Sequence, residues 1–303
     1  MDLPHLHGII PPLATPLKLD GSLDEPALER FVEFQVGAGV HGLWVLGTTA
    51  RFDLLTEARQ RRIAEIVARV NAGRVPLVLN VSDLGTERTI ARASAFDDLP
   101  YDYHAVLPPW YQPMAVNEVN DYYHALADRL SRPVVIYNAP WICNQLGFAH
   151  LRQLAQHPRI VGCKDVNPGL SRMLDWPTAE RRSMNFSYLH GNDQMAISAD
   201  LGSDGFVSAL SNPLPELTVA IWDAVRVEDA ERAFRLQSQL TRLARVLGFG
   251  TMHAGVEQLC RHRGFFERML PPPLRSLDPE TARRVDDVAD LVGVLPVLEP
   301  ARA

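Results

Sequence analysis

The chain has 303 residues, 47% of them hydrophobic, and a formal net charge of −6; that is enough apolar material for one large α/β barrel or two smaller domains. Its arginines are scattered and form no basic run, which argues against a nucleic-acid or polybasic membrane surface and leaves small molecules as the expected partners. Cys143, Cys163 and Cys260 lack a CxxC spacing, so neither a disulfide framework nor a cysteine zinc site is expected, and with no leader pattern or apolar run of ~20 residues the protein reads as soluble and cytoplasmic.

In chain order, short β-rich runs alternate with longer segments of helical spacing. The first strand is "HGIIPPL" near 7–13, followed by the helical "DEPALERFVEFQVGAG", in which Leu28, Phe31, Val32 and Phe34 to Val36 build an apolar stripe. "GLWVLG" (42–47) is the second strand and leads to "LTEARQRRIAEIVARVNAG", whose "DLLTEARQRR" start reads as a solvated helix face. Further strands are "VPLVLNV" (75–81), "YHAVLPP" (103–109), "PVVIYNA" (133–139), "RIVGCKD" (159–165), "FSYLHG" (186–191) and "DGFVSAL" (204–210). Eight such βα units predict an α/β fold, a TIM (β/α)8 barrel over 1–225. The helical patterns "EDAERAFRLQSQLTRLARVLGFG" and "DPETARRVDDVADLVGVL", split by "LPPPLRS", predict a small C-terminal helical subdomain over 226–303.

In such a barrel the βα loops converge at the C-terminal ends of the strands, so chemistry is sought there. Thr48, Thr49, Tyr111, Tyr137, Asn138, Lys164, Asp165, Gly191 to Asp193 and Ser208 pass that filter. Lys164 stands out because only Lys18 and Lys164 are lysine, every other cationic side chain being arginine. Arginine stays charged, whereas a desolvated lysine becomes a neutral nucleophile. Either Lys164 does chemistry, or its ammonium reaches solvent or a carboxylate such as Asp165. Two patterns are set aside: "GAGVHG" (37–42) matches GxGxxG but ends a helix instead of opening one, and His5-x-His7 lies near the terminus, so no dinucleotide or metal site is assigned.

"GTTARF", "PPWYQP", "YNAP" and "GCKDVNPG", with "HGND" and "GSDGFVSALSNPLPEL" in the last two units, resemble the dihydrodipicolinate synthase and N-acetylneuraminate lyase family over roughly residues 7–275, in order and at βα spacing. The resemblance implies a class I aldolase or lyase in which Lys164 forms a Schiff base with pyruvate or a related 2-oxo acid, and for which no metal or organic cofactor is required. It implies that Tyr137 moves protons, that Thr49 and Tyr111 complete a hydroxyl relay, and that Thr48 with the backbone of Gly47 binds the pyruvate carboxylate. Gly191 and Val207 would line the pocket. It further implies a homodimer or homotetramer in which Tyr111 serves the neighbouring subunit's site.

Two departures bear on the acceptor. Dihydrodipicolinate synthases carry an arginine two residues after the proline of the fifth-strand motif; here "YNAPWICN" has Ile142, which cannot hold a carboxylate, and Trp141 makes the loop bulkier than a polyhydroxylated chain favours. Ala50-Arg51 replaces the family's Gly-Glu, so Arg51 either binds an acidic distal group or pairs with Asp53 or another surface carboxylate. The expected activity is aldol cleavage or formation of a 2-oxo-4-hydroxy acid from pyruvate and an aldehyde. The alternatives are a 2-oxo-3-deoxy sugar acid dehydratase using the same imine, or a barrel that binds a ligand without turnover.

Overall fold

The computed structural model describes residues 5–167 and 169–293; the first four residues of the expected barrel span and residues 294–303 of the expected C-terminal extension lie outside the described residues. Eight strands, β1 (Gly8–Ile9), β2 (Leu43–Val45), β3 (Leu77–Asn80), β4 (Tyr103–Val106), β5 (Val134–Asn138), β6 (Ile160–Asp165), β7 (Ser187–His190) and β8 (Gly205–Phe206), each fall inside one of the eight expected segments. All pair in parallel, in the order β1-β8-β7-β6-β5-β4-β3-β2. The two ends of that order meet through backbone bonds: His41 N–H to Ile9 O at 2.7 Å, Trp44 N–H to Pro11 O at 3.0 Å and Leu13 N–H to Trp44 O at 2.8 Å. The sheet therefore closes on itself, which removes free edges and explains why the strand segments read as continuous apolar runs.

The barrel helices are α1 (Glu25–Gly37), α2 (Glu57–Asn71), α3 (Thr86–Ser94), α4 (Val116–Arg129), α5 (Phe148–Leu154), α6 (Thr178–Ser183), α7 (Met195–Asp200) and α8 (Pro215–Arg226). In α1 the Asp24 side chain accepts from Ala27 N–H at 3.1 Å, and Pro26 occupies the first turn, where its missing N–H costs nothing. Ala27, Leu28, Phe31 and Val32 form its buried face. The "GAGVHG" stretch does end this helix, with Gly39 in the left-handed region at φ 85° before β2 begins. On the outward faces, Arg62, Arg69 and Arg74 at and beyond α2 pair with Glu25, Glu29 and Glu33 of α1 at 2.6, 2.5 and 2.8 Å. Exposed pairs of this kind contribute at most about 1 kcal/mol each, so they set helix spacing more than stability.

Beyond the barrel come α9 (Ala230–Leu243), α10 (Met252–His262) and α11 (Pro279–Val292). One helix across 228–250 was the expectation; α9 instead stops at Leu243 and a tight 3₁₀ turn covers Ala244–Gly248. Its carbonyls lie against α10, where a Cβ on Gly255 would meet Val246 O at 2.2 Å, so only glycine permits the approach. Among the described residues, no helix is long and apolar enough to cross a membrane.

Candidate active site

The loop after β2 is built under local constraint. Leu46 adopts a left-handed conformation, φ 57°, unusual for a branched apolar residue, and Asn80 at the end of β3 holds it by donating from Nδ2 to Leu46 O at 2.8 Å. Gly47 follows, where a Cβ would fall 3.0 Å from Trp44 Cδ1. A turn then forms, Ala50 N–H to Gly47 O at 3.1 Å and Arg51 N–H to Thr48 O at 3.0 Å, and Arg51 is itself left-handed at φ 54°. Thr48 and Thr49 therefore sit on a fixed turn, which is what a binding loop needs.

On the neighbouring strands, Tyr137 of β5 is in register with Lys164 of β6, so both side chains leave the same face of the sheet. Lys164 Nζ lies 4.1 Å from the Tyr137 ring centroid and 5.2 Å from the Trp44 ring centroid, and the residue is 4% exposed. The Asp165 carboxylate is directed elsewhere, accepting from Asn138 Nδ2 at 3.1 Å and from the Tyr188 hydroxyl at 2.8 Å. That settles the alternative in which Asp165 neutralises the lysine. Burial instead pushes the Lys164 pKa from 10.5 down to about 7, leaving a substantial fraction as free amine at neutral pH.

The Tyr137 hydroxyl pairs with Thr48 Oγ1 at 2.8 Å. The residue expected at that contact was Thr49, with Thr48 assigned to the carboxylate; in the turn closed by Gly47 O and Ala50 N–H it is the first threonine that meets the tyrosine. Burial raises the Tyr137 pKa to about 12, the Thr48 bond partly opposing it. Trp44 went unnoticed in the sequence because a tryptophan inside an apolar strand reads as core. Here its ring packs edge-on to Tyr137, centroids 5.5 Å apart, and helps exclude water from the amine.

The remaining expected residues follow other strands. Gly191 donates its N–H to Asp165 O at 2.8 Å and lies so near Val166 that a Cβ would meet Cγ1 at 2.8 Å, while Val207 N–H bonds His190 O at 2.9 Å. Both follow strands adjacent to β6 or beyond it, at the same end as the lysine. Asp193 is paired with the Ser208 hydroxyl, and burial raises its pKa. Ile142 packs against the core, and Arg51 is occupied by Asp53 through Nε to Oδ1 at 3.0 Å and Nη2 to Oδ2 at 2.6 Å. Tyr111 lies apart from this cluster, 77% exposed on the loop after β4.

The chain is thus a closed (β/α)8 barrel that holds a desolvated lysine beside a buried tyrosine near the C-terminal ends of its strands. The sequence profile of the dihydrodipicolinate synthetase family matches residues 5–291, and the chain belongs to that family. An uncharacterised DapA-like lyase of Halobacterium salinarum is 32% identical, the match covering 94% of each chain. A protein of Escherichia coli K12 named as a probable 2-dehydro-3-deoxy-D-pentonate aldolase is 29% identical over 96% of this chain and 98% of its own. The same architecture occurs in the crystal structure of a prophage protein of the dihydrodipicolinic acid synthase family from Escherichia coli K12 in complex with pyruvate, with a TM-score of 0.89 and 24% identity over 95% of this chain and 98% of the other.

Proposed function

We propose that this chain is a Schiff-base aldolase or lyase that cleaves a 2-oxo-4-hydroxy acid to pyruvate and an aldehyde, or runs the reverse condensation. The observation that carries the proposal is the Lys164 amine, buried, without an ion pair to Asp165, and brought by burial to a pKa of about 7. Such an amine is nucleophilic at neutral pH because part of it is unprotonated and all of it is desolvated. It adds to the C2 carbonyl and water leaves, giving a protonated imine. The imine draws the electrons of the C3–C4 bond toward nitrogen as the C4 hydroxyl gives up its proton and the aldehyde departs. The resulting enamine takes a proton at C3, and water then releases pyruvate and the free lysine. The imine itself is the electron sink, so no metal or organic cofactor enters the scheme.

Tyr137 is the proton carrier in this reading, and Thr48 is the partner through which its proton is passed on, as the 2.8 Å contact suggests. With Thr48 engaged there, carboxylate binding falls to the buried Thr49 and the backbone of Gly47 and its neighbours on the fixed turn. Gly191 and Val207 line the pyruvate half. Tyr111, projecting from its own barrel, reaches the site of a second subunit in a homodimer or homotetramer. The names of the relatives favour a 2-oxo acid substrate, one being named as an aldolase of a 2-dehydro-3-deoxy acid and one structure being a pyruvate complex. Incubation with a panel of 2-oxo-4-hydroxy acids tests the proposal: pyruvate plus an aldehyde is the expected outcome. A product that retains the whole carbon chain assigns dehydration instead, and binding without turnover assigns a ligand-binding barrel.

A further inference from the structure

His253 opens α10, outside the eight βα units, and none of its chemistry is used above. It is buried, 9% exposed, and its Nε2 is shielded from solvent without a hydrogen-bond partner. Buried polar atoms are nearly always paired, so an orphaned ring nitrogen needs an explanation. Its position supplies one. α10 packs against the 3₁₀ turn Ala209–Ser211 that follows β8, at the end of the barrel where Lys164 lies, and the ring is within electrostatic reach of Arg51, Asp53 and Lys164. His104, a second buried histidine with an unpaired ring nitrogen, has Asp97, Arg132 and Arg159 for charged neighbours, and those arginines precede β5 and β6 at the opposite end.

The surroundings narrow what Nε2 meets. Arg51, a cation within reach of the ring, is already tied to Asp53 and is not free to receive an acidic group. Burial first, and the Arg51 charge next, push the His253 pKa from 6.5 to about 4, so the ring is neutral at neutral pH. A neutral imidazole nitrogen donates or accepts according to tautomer, and a hydroxyl matches either role. Resting on the aldolase reading above, we propose that His253 is a specificity-determining residue of the acceptor half, its Nε2 hydrogen-bonding a hydroxyl of an uncharged hydroxyaldehyde.

The test is pyruvate condensation with paired acceptors, glycolaldehyde against acetaldehyde and glyceraldehyde against propanal, in the wild type, His253→Phe and His253→Gln. The wild type should prefer the hydroxylated member of each pair in kcat/KM by about 10- to 100-fold, because a site built to pair a hydroxyl rejects the analogue lacking it. His253→Phe should abolish that preference, and His253→Gln, whose amide reaches the Nε2 position, should restore part of it. The thermal midpoint of His253→Phe should not fall, since an unpaired buried polar atom is being removed. A preference that survives in His253→Phe, or an equal loss on both members of a pair, overturns the proposal. Borohydride trapping of pyruvate on the same proteins separates the two levels. A wild type that traps pyruvate yet shows no hydroxyl preference, or accepts none of the four aldehydes, sinks the His253 assignment alone. A wild type that does not trap pyruvate sinks the aldolase reading with it.

Discussion

Replacing Lys164 by methionine should stabilise the fold while abolishing the chemistry. The two side chains have similar length and volume, so packing against Tyr137 and Trp44 is kept and only the amine is lost. Folding carries this group from an ordinary pKa of 10.5 to about 7. At about 1.4 kcal/mol per pKa unit, that gap is a cost of about 5 kcal/mol to hold the buried amine protonated. Below pH 7 the amine is protonated in both states and the cost is present in full. Between pH 7 and 10.5 the unfolded chain holds a proton that the folded one lacks, so wild-type stability rises with pH, and above 10.5 the cost is gone. Urea denaturation of both proteins across this range should therefore show Lys164→Met more stable by a few kcal/mol near pH ~6.5, by about 2 kcal/mol near pH ~9, and by almost nothing near pH ~11. A difference that does not change with pH, or a variant less stable than the wild type at neutral pH, would refute the desolvated-amine argument.

Thr48→Val leaves the buried Tyr137 hydroxyl without its partner; a loss of roughly 1 to 3 kcal/mol should lower kcat about 10- to 100-fold with little change in KM for pyruvate, whereas a change confined to KM would return Thr48 to the carboxylate. Aspartate semialdehyde should be a poor acceptor because Ile142 offers its amino-acid end no charge; a missing buried contact of about 2 to 5 kcal/mol lowers the rate by a few orders of magnitude, and efficient turnover in a coupled assay would contradict this. Lys164→Ala and Tyr111→Phe should each be nearly inactive alone, yet activity should return when their subunits are exchanged, since one mixed site then receives an intact lysine and an intact tyrosine; verified exchange without recovery would confine Tyr111 to its own barrel or remove it from the relay.

Much of this was legible in the sequence because the signals are local. Each strand is a short apolar run bounded by turn residues, and a parallel barrel buries both faces of its strands, so "VPLVLNV" and "PVVIYNA" read correctly one segment at a time. Lys164 drew attention for a similar reason: it is one of two lysines and stands at the end of such a run, where the sequence alone left chemistry and a solvent or carboxylate contact both open. What was hidden depends on backbone phase or distance in the chain. Which of Thr48 and Thr49 meets Tyr137 depends on the backbone path of a turn that follows a left-handed Leu46, and no residue type announces that path. Arg51 had two open readings, and the choice of Asp53 follows from a turn that brings residues two apart together. Trp44 looks like core until its ring is seen beside the amine. His253 comes from a helix held close to the 3₁₀ turn through Gly255, a contact between elements that spacing does not encode.

The most direct measurement of the central claim is borohydride reduction of the protein in the presence of pyruvate, followed by peptide mapping. Hydride reduces a protonated imine to a stable amine, so the wild type should lose activity irreversibly and carry one pyruvate-derived adduct, on Lys164, in the peptide containing "GCKD". Lys164→Arg, which keeps the charge but forms no such imine, should remain unlabelled. An unmodified Lys164 after reduction, or labelling that persists in Lys164→Arg, would contradict the account.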